Sequence, residues 1–220
     1  MSSHTIANQV SGLHEHMAGH APADVLQALT SEQAALNAGG IPARVLRPGS
    51  RLPDAGLLDA HGKPTTLTTA QKDRPAVVVF YRGAWCPYCN ITLRTYQAQL
   101  MPELTRRGIE LIAISPQKPD GSLSMQETNE LSFTVLSDPG NQIAGTLGIL
   151  TAPSDAAAKA QATMGLDVAE HNADGTKTIP MPTVIVLDAD GVIRWIDVHP
   201  NYTTRTEAQQ ILAAIAETVS

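Results

Sequence analysis

The chain has 220 residues, enough to bury a sizeable core without covalent staples, so a disulfide-stapled miniprotein is excluded. Its 43% hydrophobic and 16% charged residues exclude a disordered chain, and 15 Lys plus Arg against 21 Asp plus Glu leave a net charge of -6 that disfavours nucleic acid, no basic run exceeding Arg106-Arg107. No apolar run approaches the ~20 residues that span a bilayer, and the N-terminus lacks a basic region followed by an apolar one; the expectation is a soluble, cytoplasmic protein without a membrane partner.

Residues 1–44 are Ala-rich and predict a helical extension. Within it, residues 24–38 are amphipathic, with Pro22 in the first turn and Gly39-Gly40 at the end. Val25, Leu26, Leu29 and Leu36 make an apolar stripe that must pack on the main domain or on a second subunit, the latter giving a homodimer. His16 and His20 stand one helical turn apart beside His14. They read either as a metal clip or as solvated side chains on a polar arm, and no metal is assigned to them.

The second unit is residues 45–220. Pro48, Gly49, Pro53, Gly62 and Pro64 predict turns and short extended pieces at its entry. Residues 76–80 are a β-branched and aromatic run, the pattern of a strand buried on both faces. Residues 90–104 carry helical spacing, kinked or shortened at Pro102 and ended by Gly108. A strand at 109–115 follows, then a short helix opened by a Ser124–Glu127 capping box and running to Leu131, a strand at 134–136 and a helix at 141–147. Residues 151–180 show no confident element and read as an insertion. Residues 183–187 and 192–198 form a hairpin across Asp188-Ala189-Asp190-Gly191. A closing helix starts at Thr206, with Gln209 three residues on, and carries Ala208, Ile211, Leu212, Ile215 and Val219 on one side. This alternation implies an α/β fold, a mixed central sheet flanked by helices, preceded by the helical extension. No phosphate-binding glycine loop is present, and no cofactor is expected.

The two cysteines, Cys86 and Cys89, are the centre of the functional reading. The order strand, Trp85-Cys86-Pro87-Tyr88-Cys89, helix places Cys86 at a helix N-terminus, where spare N–H groups and the helix dipole favour a thiolate. Cys89 returns within one turn, close enough for an intramolecular disulfide, and is expected to be the less exposed sulfur. Half of a zinc site and a pair of inert core thiols are the competing readings; zinc would need two more soft ligands, and there is no further cysteine. Arg82 either favours the thiolate or is a solvated strand-end charge. Trp85 and Tyr88 either wall the sulfur or simply pack. His199 and Tyr202, in a His-Pro-Asn-Tyr loop, receive no chemical role.

Trp85-Cys86-Pro87-Tyr88-Cys89 resembles the thioredoxin WCxxC motif with the CPYC interior of glutaredoxins. Ile179-Pro180-Met181-Pro182-Thr183 resembles the thioredoxin-fold loop whose proline is cis, which implies a cis Met181–Pro182 bond facing the cysteines. A wider match, over residues 44–218, rests on FYRGAWCPYCN, ISPQ at 114–117, LSDPGNQIA at 136–144 and VLDADGVIR in the hairpin; these are similar to the peroxiredoxin-like branch of the alkyl hydroperoxide reductase C and thiol-specific antioxidant family. That resemblance implies a thioredoxin-like fold, a thiol peroxidase or related oxidoreductase, and a reductant such as thioredoxin or a glutathione system.

The chain departs from the family at Val79 and Gly83, which stand where the family has Pro and Thr or Ser, and in the Met181-Pro182 region, where the family has an arginine. It also has Phe80 where thioredoxins keep a buried aspartate. The expected chemistry is attack of a Cys86 thiolate on a peroxide, with Cys89 closing a disulfide on the resulting sulfenic acid; Pro87, Trp85, Tyr88, Arg82, Met181 and Pro182 are its neighbours. Two alternatives stand beside it: dithiol–disulfide exchange with the Met181 backbone aligning a disulfide substrate, and a redox-sensing interaction module.

Overall fold

The computed structural model describes residues 5–218, so Val219 of the closing helix lies outside the described residues. Seven strands form one mixed sheet in the order β2-β1-β5-β4-β3-β8-β9. β3 (Ala76–Phe80), β4 (Glu110–Ser115) and β5 (Thr134–Ser137) run parallel at its centre. β8 (Thr183–Leu187) and β9 (Ile193–Val198) extend it antiparallel on one side, and β1 (Gly56–Asp59) with β2 (Pro64–Thr66) on the other.

Every residue of β3 is buried, as its unbroken apolar run requires of a strand covered on both faces. Val77 and Val79 point to one layer and Ala76, Val78 and Phe80 to the other. The first layer contains α1 (Ile6–His20), α4 (Pro87–Gln99), α5 (Met101–Arg107), α6 (Pro119–Thr128) and α10 (Ala208–Thr218). The second contains α3 (Leu67–Gln71) and α7 (Gln142–Leu147).

Several expectations are corrected here. The helix expected from 90 begins earlier, at Pro87, while its expected kink or shortening at Pro102 is met by a break at Leu100: Pro102 lies in the first turn of α5, where its missing N–H leaves no gap in the ladder. Ser124 and Glu127 lie inside α6, not at its start, because Pro119 sets the first turn earlier. The 151–180 segment is not structureless. Short antiparallel strands β6 (Leu150–Thr151) and β7 (Ile179–Pro180) tie its ends together, and between them run α8 (Asp155–Thr163) and α9 (Val168–His171), whose first turns are capped by Ser154 and Asp167.

The small apolar face of α8 has its partner in the extension. Val25 and Leu29 of α2 (Ala23–Gly39) bury against Ala157 and Ala160, so the stripe packs on this chain's own 151–180 segment. Ser154 N–H donates to Glu32 Oε1 at 2.8 Å across the same contact. At the other end of the extension, the Glu207 carboxylate accepts from the Ile6 and Ala7 N–H groups at 3.1 and 2.9 Å, placing an anion at the N-terminus of α1.

Candidate active site

β3 ends at Phe80, and the chain turns through Tyr81, Arg82, Gly83, Ala84 and Trp85 before α4 begins. Gln117 holds this turn: its Oε1 accepts the Ala84 N–H at 2.8 Å, and its Nε2 donates to Tyr81 Oη at 3.0 Å. The ISPQ segment therefore serves as a clamp on the loop. Asn90 reaches back from α4, donating to the carbonyls of Ala84 and Cys86 at 2.7 and 2.9 Å. Asp138 performs the corresponding task in LSDPGNQIA, its carboxylate receiving the Gln142 and Ile143 N–H groups at the head of α7.

Cys86 is the N-cap residue of α4 and Cys89 sits one turn on, both as free thiols. The Cys89 N–H donates to Cys86 O at 3.0 Å, which closes the first turn. Both residues are buried, at 0% and 1% exposure, so exposure does not separate the sulfurs as expected; the space each one faces does. Cys86 lies at the floor of a cleft of about 260 Å³, with Arg82, Trp85, Pro87 and Tyr88 around it. Met17 and Leu29 from the extension and Gln161, Met164 and Leu166 from the 151–180 segment complete the opposite wall. Cys89 instead lines a small inner cavity with Pro182, His199, Arg205 and Thr206.

The electrostatics reverse the expected order of ionisation. The Cys86 side chain caps no helix amide. Burial pushes its thiol well above the usual range, and its hydrogen bond to Cys89 and the charge there push the same way, against Arg82 and Arg205. Cys89 is drawn below the usual range despite its own burial. The hydrogen bond from Cys86, the Arg205 guanidinium with Nη2 at 3.5 Å from Cys89 Sγ, the Arg82 N–H and the Arg82 charge together outweigh desolvation. Between the two sulfurs, the surroundings favour the thiolate at Cys89 over the thiolate at Cys86.

Arg82 is buried between two rings, its Cζ 5.0 Å from the centre of Trp85 and 4.0 Å from that of Tyr202. Such stacking is worth about 0.5–2 kcal/mol and keeps the guanidinium planar against the cleft wall. It is not a solvated strand-end charge. Trp85 also accounts for Gly83: a Cβ there would lie 2.3 Å from Trp85 Nε1, and the residue has φ +154°, so the hydroxyl side chain the family carries at this position cannot be housed. Tyr88 packs at 5.9 Å from Tyr202 and shares a 3.0 Å hydrogen bond with His14 of α1.

Two residues with no role in the sequence reading belong to the site. Tyr202 stacks on Arg82, and Arg205 contacts Cys89 from 116 positions away, carrying no motif that could have marked it. The Met181–Pro182 expectation is corrected: no peptide bond among the described residues is cis. The extended β7 runs on into β8 with the Met181 N–H donating to Ile149 O at 2.8 Å, a pairing that trans geometry, the preferred form, allows. Pro182 does reach the inner cavity, but the Met181 side chain packs in the layer on the far side of the sheet. His16 and His20 stack on each other at 4.3 Å, and no cluster of three metal-ligating side chains exists among the described residues. No described helix is long and apolar enough to cross a membrane.

The AhpC/TSA family model matches residues 48–196. A putative peroxiredoxin of Mycobacterium tuberculosis is 31% identical over 98 residues, 44% of this chain and 61% of that protein. Peroxiredoxin Bcp of Escherichia coli is 32% identical over 104 residues, 47% of this chain and 65% of the relative. The chain thus spans somewhat less than two thirds of the length of these relatives. Among solved structures, peroxidoxin BcpB of M. tuberculosis superimposes with a TM-score of 0.60 at 21% identity, covering 80% of this chain and 99% of that one. Reduced Prx3 of Vibrio vulnificus, in complex with hydrogen peroxide, gives 0.63 at 17% identity over 78% of this chain and 99% of that one. The fold is the thioredoxin-like fold of these proteins.

Proposed function

The chain belongs to the AhpC/TSA family, and on that footing we propose that it is a peroxiredoxin-like thiol peroxidase. It reduces hydrogen peroxide or organic hydroperoxides through Cys86, closes a Cys86–Cys89 disulfide, and is recycled by thioredoxin or a similar dithiol. The observation that carries this reading is the division of labour between the two sulfurs: one on the floor of a cleft beside a stacked arginine, the other behind it against a second arginine.

The Cys89 thiolate is the nearest base to the Cys86 thiol. As Cys86 attacks, its proton passes to Cys89, its sulfur bonds to the near peroxide oxygen, and the O–O bond breaks. The departing alkoxide or hydroxide takes a proton from cleft water. Arg82, held by Trp85 and Tyr202, faces the oxygen on which charge develops and takes the part that the threonine plays in the family pattern. Cys89, once it has released the Cys86 proton to solvent, attacks the sulfur of the Cys86 sulfenic acid, the S–O bond breaks, and hydroxide leaves as water after one further protonation. Starting from one thiol and one thiolate, the cycle consumes one proton for each disulfide formed.

Dithiol–disulfide exchange is less well supported. It needs a free backbone edge beside Pro182 to align a substrate strand, and there the Met181 N–H is already given to Ile149 and the Met181 carbonyl accepts from Thr183 Oγ1 at 2.9 Å. Stopped-flow oxidation of the reduced protein by hydrogen peroxide and by an organic hydroperoxide separates the two. The expected result is a second-order rate far above that of a free thiolate, lost in Cys86→Ser and, in Cys89→Ser, slowed by loss of the base and halted at sulfenic acid. A rate no faster than a free thiol overturns the peroxidase.

A further inference from the structure

Cys89 is only 1% exposed, yet the cycle above loads a proton on it that must leave before it can attack Cys86. The inner cavity it lines has a volume of about 10 Å³, near the space one water molecule needs. The polar end of that cavity is a connected cluster. Thr206 Oγ1 donates to Asp197 Oδ2 at 2.8 Å, and His199 Nε2 donates to the same oxygen at 3.1 Å. The Thr204 hydroxyl, which donates to Asn201 O at 3.0 Å, lies 2.8 Å from His199 Nδ1. Thr206 is buried, whereas the His199 and Asp197 side chains are 19% and 31% exposed. The cluster thus begins at the cavity beside Cys89 and ends in water, on a different side of the pair from the substrate cleft.

We propose that Thr206, His199 and Asp197, supplied by β9 and the loop before α10, form a proton outlet for Cys89. These are positioning residues: they touch neither peroxide nor the reacting oxygen and act through Cys89. When Cys89 has taken the Cys86 proton, that proton passes across the cavity to the Thr206–Asp197–His199 cluster and out to solvent. The thiolate is restored, and Cys89 attacks the sulfenic acid. During reduction the flow is the same, because an external dithiol releases Cys89 and any proton it picks up leaves by this path.

The other charged and titratable groups around Cys89 do not offer a competing path. Arg82 and Arg205 are cations that favour the thiolate. Tyr81 and Tyr96 have pKa values raised by burial, and the Tyr96 hydroxyl is spent on Thr206 O at 2.7 Å. Glu207 is occupied by the first amides of α1. Cys86 is the source of the proton.

The proposal rests on Cys89 being the sulfur that closes the disulfide, not on which oxidant loads Cys86. The full-length reduced protein is therefore mixed in a stopped-flow with hydrogen peroxide and, separately, with diamide, and disulfide closure is followed by tryptophan fluorescence between acid and alkaline pH. In Asp197→Asn, closure is expected to slow roughly a hundredfold, the lower end for a positioned proton-transfer group, with its pH profile displaced to higher pH for both oxidants. Loading of Cys86, read with Cys89 in place as the phase whose rate rises with oxidant concentration, is unchanged. Thr206→Val behaves as Asp197→Asn, and Thr206→Ser restores closure by restoring the hydroxyl. In the unmodified protein, closure slows in heavy water.

Closure with the parental rate and pH profile in folded Asp197→Asn overturns the outlet, as does the absence of a solvent isotope effect, which needs no variant. Failure of peroxide alone, with the diamide effects intact, overturns the peroxidase and leaves the outlet standing.

Discussion

Two arginines divide the work at the cysteine pair, and neither is exchangeable with a solvated charge. Arg82 is fixed by ring faces and looks into the cleft; Arg205 is fixed by main-chain carbonyls, those of Tyr202 and Thr204, and looks at Cys89. Removing the cation beside a thiolate raises its pKa. Arg205→Gln is therefore expected to move the ultraviolet thiolate titration of the reduced protein to higher pH, and the acid limb of peroxide turnover with it. An unmoved titration would show that Arg205 does not set the charge on Cys89. At Gly83, any Cβ meets the Trp85 indole in a backbone conformation that glycine favours. Gly83→Ala should displace Trp85, unstack Arg82 and lower kcat/KM by more than it lowers thermal stability; tryptophan fluorescence of the variant reads the displacement.

At the scale of elements, short polar contacts at helix ends position the chemistry. Gln117 and Asn90 hold the turn between β3 and α4, and α7 starts where three main-chain N–H groups reach the Asp138 carboxylate. That carboxyl is raised above its ordinary value because burial outweighs those hydrogen bonds. Losing a cap of this kind costs about 1–2 kcal/mol. Asp138→Ala should lower the unfolding free energy by that amount, read as a lower urea midpoint with an unchanged slope, and leave Cys86 oxidation nearly as fast, since α7 packs on the layer away from the cysteines. The break at Leu100 follows the same logic, because a proline is accommodated only where a helix begins.

For the molecule as a whole, the extension and the 151–180 segment are one structural device. α2 rests on α8, and the extension and the segment supply Met17 and Leu29, and Gln161, Met164 and Leu166, respectively, as the wall facing Cys86. Leu29→Asp places a charge in the apolar contact between the two helices, where burying it without a partner is costly. The expected outcome is a loosened wall: faster alkylation of Cys86 by iodoacetamide, with the melting temperature reduced but a cooperative transition retained. Equal protection in the variant would mean that this wall is not what buries the sulfur.

What is local was legible in the amino-acid order. A fully apolar five-residue strand, a CPYC motif at its end and a helical repeat after it placed the pair at a strand-to-helix junction, because strand burial, capping and helix periodicity act over a few residues. The alternation of elements and the Asp-Gly turn were enough for a mixed sheet flanked by helices. Which of the two sulfurs has surroundings that favour a thiolate was not legible there. That depends on Arg205 reaching Cys89 across 116 residues and on each side chain's burial, neither of which leaves a periodic trace in the chain. The isomer of Met181–Pro182 and the partner of the Val25–Leu29 stripe were likewise decided only in the tertiary structure, since a strand pairing and a small alanine face across the fold selected them. Long-range desolvation and charge are properties of the assembled fold, and they set the chemistry that the local motif only made available.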